Sequence, residues 1–145
     1  MPRLFLDSNV IIDGVISPWS ASHVVLTLCA KRLQQAVIAT YVIDEVETAW
    51  LEMPSSKAEH WINDYLKFID LSRPEKIVVE DDSPEMRQAR IIHHVHDIPV
   101  LAAAIKAKPD WLLSRNRNHF SDDIATRTGL RISTPAEFLR QTLST

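Results

Sequence analysis

Four polar residues stand where short apolar runs end or helical patterns begin. Asp7 closes Arg3-Leu4-Phe5-Leu6, Glu45 lies within Tyr41 to Leu51, Asp97 precedes Ile98-Pro99, and Asn116 follows Trp111-Leu112-Leu113-Ser114. Far apart along the chain, they act together only if the fold brings them to one place. Crowded carboxylates repel one another unless a divalent cation neutralises them, and hard oxygen ligands with no thiolate suit Mg²⁺ or Mn²⁺. Such an ion generates hydroxide from water near neutral pH and stabilises charge developing on a reacting phosphate, the chemistry of a nuclease. Helix capping competes for the same side chains. Asp7, Ser8 and Asn9 all suit an N-cap, Asp97 is placed as a cap two residues before Pro99, and Glu45 in an early turn complements the helix dipole. One cap is sufficient for the first helix, which leaves Asp7 to spare, but local pattern alone keeps both uses open for each acid.

The elements that must position these residues alternate. Arg3 to Leu6 reads as a strand, with a helix from Val10 to Ile16 after the Asp7-Ser8-Asn9 turn. Val24, Val25, Leu28 and Leu33 predict a helix over about 20–33, capped by Ser20 or Ser22. Ala36 to Ala39 is a second strand and Tyr41 to Leu51 the helix after it; Met53-Pro54-Ser55-Ser56 breaks the chain before a helix over 57–71. Lys76 to Val79 is a third strand, and Ser83-Pro84 opens a helix expected to reach about His94. An alanine-rich helix runs from Asp97 to Ala107, a fourth strand spans Trp111 to Ser114, and a fifth lies within Gly129 to Ser133. Thr134-Pro135-Ala136-Glu137 is a capping box opening a final helix. Strands alternating with helices throughout predict an α/β sandwich around a mostly parallel sheet, whose ligands bind beyond the carboxyl ends of the strands.

Composition narrows the function. The 145 residues, 46% hydrophobic, are enough for one domain with a real core, and no linker or repeat divides them. A net charge of −3 lacks the basic excess of a protein that coats nucleic acid, so a polyanionic substrate must be gripped locally. The only glycines, Gly14 and Gly129, leave no P-loop or dinucleotide fingerprint. Cys29 alone forms no internal disulfide and suits a reducing compartment. The first residues reach a charge too soon for a signal-peptide core, and no apolar run approaches membrane-spanning length, so a cytoplasmic protein is expected.

Together these segments resemble a PIN domain, the nuclease fold of many bacterial and archaeal toxins of the VapC type, over nearly the whole chain. Leu4-Phe5-Leu6-Asp7-Ser8-Asn9-Val10-Ile11-Ile12 is similar to the family's opening. Tyr41-Val42-Ile43-Asp44-Glu45-Val46 resembles the segment carrying an acid on the helix after strand two, mapping that role to Glu45 with Asp44 as its neighbour. Asp97-Ile98-Pro99-Val100-Leu101-Ala102-Ala103-Ala104, then Asp110 to Phe120, matches in order and spacing the Asp-led alanine-rich helix, the short strand, and a hydroxyl residue two before Asp or Asn. Gly129 to Leu139 is similar to the ending of toxin members. The resemblance implies a three-layer α/β/α fold of roughly five strands, with Asp7, Glu45, Asp97 and Asn116 catalytic and the three carboxylates holding Mg²⁺ or Mn²⁺. It implies support from Asn9 and Ser114, an RNA substrate, a homodimer and a cognate antitoxin. Asn116 stands where the family often has Asp, offering oxygen without charge, which weakens the case for a second ion. Arg115 and Arg117 flank the site and suit phosphates.

Two other readings use the same residues. A PIN module that only binds RNA or a protein would have lost carboxylates, whereas three are kept here. His93-His94-Val95-His96-Asp97 suggests a metal site of the HD phosphohydrolase kind, but its imidazoles point in different directions on a helix and His23, His60 and His119 supply no further His-rich segment. Trp50, Trp61, Tyr65 and Phe68 fall at core or interface spacing, core being favoured.

Overall fold

The apolar runs become the strands of one parallel sheet. In the computed structural model, which describes residues 1–143, β1 is Arg3–Leu6, β2 Gln35–Ala39, β3 Glu75–Ile77, β4 Trp111–Leu113 and β5 Ile132–Ser133. The order is β3-β2-β1-β4-β5, every pair parallel. Leu4, Phe5, Leu6, Ala36, Val37, Ile38, Leu112 and Leu113 are fully buried. That is why these strands read as continuous rather than alternating apolar runs: both faces of the sheet are covered.

The covering helices are α1 Ser8–Ile16, α2 Ala21–Ala30, α3 Thr40–Leu51, α4 Ser55–Ser72, α5 Pro84–Gln88, α6 Ile98–Ala107, α7 Asp122–Thr128 and α8 Pro135–Leu143. Single 3₁₀ turns span Ala89–Ile91 and Val95–Asp97. The chain steps outward from β1 to β2 and β3, then returns past β1 to β4 and β5. Right-handed crossovers therefore put α1 to α4 on one face and α5 to α7 on the other, the expected three-layer arrangement. The same reversal makes the gap between β1 and β4 the topological switch point, where a crevice opens beyond the strand ends. No single described helix is long and apolar enough to cross a membrane.

Local signals account for most helix ends. Ser20 accepts from the His23 N–H at 3.1 Å and Ser83 from the Met86 N–H at 3.2 Å. The capping box closes both ways, Glu137 N–H to Thr134 Oγ1 at 3.1 Å and Thr134 N–H to Glu137 Oε1 at 3.3 Å. Gly14 sits where a Cβ would lie 2.5 Å from Leu26 Cδ1, so α1 and α2 approach at a distance no larger residue permits without displacing Leu26. Trp50, Tyr65 and Phe68 are buried and Trp61 half-buried beside them, the core role expected.

The structure departs from the periodicity in four places. The second helix stops at Ala30, not Leu33, because the chain must turn through a left-handed Arg32 to enter β2, leaving Leu33 exposed. The edge strand β3 starts at Glu75 and ends at Ile77, because it pairs only with β2, whose last paired residue is Ala39; Val78 is exposed. The helix expected to reach His94 ends at Gln88. Burial of both Ala89 and Ile92 is achieved with extended backbone at Ile92, which directs the following residues toward the end of β1. Finally, α7 has no counterpart in the apolar pattern: Ser121, the acids at 122 and 123, and left-handed Gly129 bound it, but its one buried residue, Ile124, is too little for a periodic signal.

At the amino end of the sheet Arg3 ties several elements together. Its guanidinium donates twice to Glu75 at 2.8 and 2.9 Å, and its Nη1 to the carbonyls of Ala107 and Lys108 at 2.8 and 3.0 Å. Its backbone N–H donates to Asp110 Oδ2 at 2.7 Å.

Candidate active site

At the opposite, carboxyl end, the turn after β1 meets the loop after β4. Asp7 is the N-cap of α1, its Oδ1 accepting from the Ser8 N–H at 2.8 Å. Its other oxygen is not spent on the helix: Ser114 Oγ donates to Oδ2 at 2.7 Å. Capping and site formation thus use different oxygens of one carboxylate. Asn9 completes the join, its Nδ2 lying 3.4 Å from both Asp7 Oδ2 and Ser114 Oγ and its Oδ1 accepting from the Arg115 N–H at 3.0 Å. Ser114 Oγ also accepts from the Asn116 N–H at 3.1 Å, which folds the loop over the crevice.

Asp97 stands at the N-cap position of α6 but makes no side-chain cap bond. Its backbone there is αR, so the side chain does not adopt the geometry by which an extended N-cap residue reaches the first-turn N–H groups. His119 Nδ1 instead approaches the buried Asp97 Oδ2 at 2.7 Å, an ion pair when the imidazole is protonated. Glu45 lies on the second turn of α3, and its buried Oε1 has no donor. Asp44, its neighbour, is exposed and acts electrostatically on Tyr65 instead.

The acids act on one another through their charges. Burial raises the pKa of Asp7, Asp97 raises it further, and the Ser114 hydroxyl, the Ser8 N–H and His119 oppose the rise. Glu45 is pushed up to about 7 by burial, then by the charges of Asp7 and Asp97. Burial first and then the fields of Glu45 and Asp97 also raise the Tyr41 phenol, which places Tyr41 at the rim. No three His, Cys, Asp or Glu side chains among the described residues are close enough to form a closed ligand set as they stand. The donor chemistry nevertheless fits a hard divalent cation: a buried oxygen of Glu45 has no donor, and the pKa values of Asp7 and Glu45 are raised first by burial and then by neighbouring acids.

The remaining expected residues fall on the same loop. Asn116 is held through its backbone, its carbonyl accepting from the N–H groups of His119 and Phe120 at 3.2 and 3.0 Å. Arg115 is exposed, 3.5 Å from Asp13; Arg117 is turned inward to the Phe120 carbonyl at 2.7 Å and to Asp122. Two residues at the site have no distinct signature in the sequence pattern. Tyr41 reads there only as the start of a helix, and His119 adds nothing to the His93–His96 run. Its position three residues past Asn116, on the loop that must fold over the site, is the signal that could have found it. The thiol of buried Cys29 is pushed up to about 12 by burial and is inert.

A parallel α/β sheet with carboxylates gathered at its switch point defines a class of fold and site. A sequence profile of the PIN domain matches residues 3–118, and the chain belongs to the PIN domain family. Its fold is similar to that in VapBC2 from Rickettsia felis, solved bound to a DNA fragment from its promoter: TM-score 0.68, 16% identity, covering 91% of this chain and 98% of that one. It is also similar to FitAcB from Neisseria gonorrhoeae, with TM-score 0.64 and 14% identity, covering 92% of this chain and 98% of that one. No curated protein matches the sequence.

Proposed function

We propose that this PIN domain is a metal-dependent endoribonuclease, the toxin of a type II toxin–antitoxin pair that forms a homodimer and is silenced by its antitoxin. The observation that carries the catalytic reading is the electrostatic coupling of Asp7, Glu45 and Asp97 in a buried setting, with a buried oxygen of Glu45 left without a donor. Without a cation such an arrangement is costly, and an ordinary core would have replaced it. Membership of the PIN family supports nuclease chemistry, and the fold shared with VapBC2 and FitAcB supports the toxin assignment and the antitoxin partner.

In this reading Asp7, Glu45 and Asp97 hold Mg²⁺ or Mn²⁺. When bound, the ion supplies neutralising charge, a source of hydroxide near neutral pH and stabilisation of the charge building on the phosphate. The protein's own groups do the positioning. Ser114 holds Asp7 Oδ2 through its hydroxyl, and Asn9 locks the turn after β1 to the loop after β4, so the carboxylate cannot rotate away. Asn116 offers an uncharged oxygen, which favours one firmly held ion over two. Exposed Arg115 is free to exchange Asp13 for a substrate phosphate, whereas Arg117 must first leave Asp122. Purified protein is expected to cleave RNA weakly and in a Mn²⁺-stimulated manner, and Asp7→Asn to abolish the cleavage. Persisting cleavage in that variant, or tight binding of two Mg²⁺ ions without substrate, would count against this assignment of roles.

A further inference from the structure

We propose that His94 is a stacking platform for an unpaired nucleobase of the RNA held at the carboxylate site, an inference that rests on the nuclease reading above. The imidazoles of His94 and His119 lie face to face, centroids 3.4 Å apart and planes inclined by 21°. His119 is fixed from below by its 2.7 Å approach to Asp97 and by its N–H bond to the Asn116 carbonyl. His94 is exposed, with extended backbone (φ −91°, ψ 119°) just before the 3₁₀ turn that delivers Asp97. Its ring is therefore stacked on His119 while the residue as a whole stays exposed, three residues before Asp97. A flat, supported ring on an exposed residue suits a splayed-out base.

The surrounding charge selects the path of the strand. On the Glu45 side, a groove of about 420 Å³ is lined by Tyr41, Asp44, Glu45, Glu52 and His96, and its three carboxylates repel phosphates. The other side is the loop Ser114 to Phe120, which carries Arg115 and Arg117 and also supplies His119. A backbone that draws Arg115 from Asp13, and Arg117 from Asp122, runs along the loop that supplies His119, the ring on which His94 is stacked. A base within a duplex already has both faces stacked and is refused. Stacking reads no base edge, so the platform favours single strands and, by contact area, purines, without fixing a sequence.

The test is a titration of the full chain with a single-stranded RNA carrying 2-aminopurine, in EDTA and again in Ca²⁺, beside a Mn²⁺ cleavage assay. Wild type is expected to quench the probe. His94→Ala and His94→Leu should weaken binding about 5- to 100-fold and restore fluorescence, while His94→Phe stays within about threefold of wild type. Binding by His94→Leu equal to that of wild type in both buffers, with Mn²⁺ cleavage intact, overturns the platform and leaves the nuclease reading standing. So does duplex RNA that competes as well as the single strand. A wild-type chain that neither binds nor cleaves RNA overturns both.

Discussion

Arg3 opens β1 and Asp7 follows its last residue, so one short strand carries a charge at each end of the sheet. Around Arg3 the charges are matched: Glu75 receives a bidentate guanidinium, and two carbonyls at the end of α6 and the Asp110 carboxylate are satisfied by the same residue. Accordingly the Glu75 pKa is lowered and that of Arg3 raised, their mutual hydrogen bond being the main cause. Around Asp7 acids face acids, Asp7 and Glu45 rise in pKa, and a buried oxygen of Glu45 stays without a donor. The amino end contributes stability. The carboxyl end holds unfavourable electrostatics that Ser114, the Ser8 N–H and His119 offset only in part, as expected where function opposes stability.

Breaking the carboxyl end should have the largest effect. Asp7→Asn and Asp97→Asn are expected to lower Mn²⁺-dependent RNA cleavage at least about 10³-fold, since each removes charge aimed at the reacting centre. Both variants should also melt in EDTA at or above the wild-type temperature, because they delete repulsion. A fall of several degrees in Asp97→Asn would show that the acid is structural. Next in size is the ligand itself. Mn²⁺ at ten times its Kd should stabilise wild type by about 1.4 kcal/mol and leave Asp97→Asn unmoved, as read by calorimetry.

Breaking the amino end should act on stability alone. Arg3→Ala removes a half-exposed ion pair and two carbonyl caps, for which about 1–2 kcal/mol is expected, or several degrees in Tm, with cleavage per folded molecule unchanged. The smallest and most discriminating effect is in pH. Glu75 has a lowered folded pKa, so its contribution is present above the ordinary carboxylate value of 4.5 and is lost as acid carries the pH down through the folded value. Glu45 has a raised one, so its contribution is full below 4.5 and is lost as pH rises through about 7. In EDTA, urea melts between pH 5 and 7.5 should show a loss of stability with rising pH that Glu45→Gln flattens; an unchanged slope would mean that neither burial nor the neighbouring acids raise Glu45.

Much of the architecture is legible in the order of the residues. Buried parallel strands need both faces apolar, so composition marks Leu4 to Leu6 and Trp111 to Leu113 as strands, and the donors that a helix start leaves unpaired mark Ser20, Ser83 and Thr134 as caps. These depend on neighbours within a few residues, which is the range over which sequence pattern carries information. The order Asp7, Glu45, Asp97, Asn116 on alternating elements likewise places them on one side of the sheet. What each acid does lies beyond that range. Whether Asp97 caps α6 is decided by its αR backbone and by the approach of His119 from another element, and whether Asp7 has an oxygen to spare depends on Ser114, 107 residues away. The rise of the Glu45 pKa to about 7 and the stacking of His94 on His119 arise from burial and from charges and rings that no local window contains. Long-range electrostatics and stacking are properties of the assembled crevice, and the crevice exists only where the chain reverses its strand order between β1 and β4.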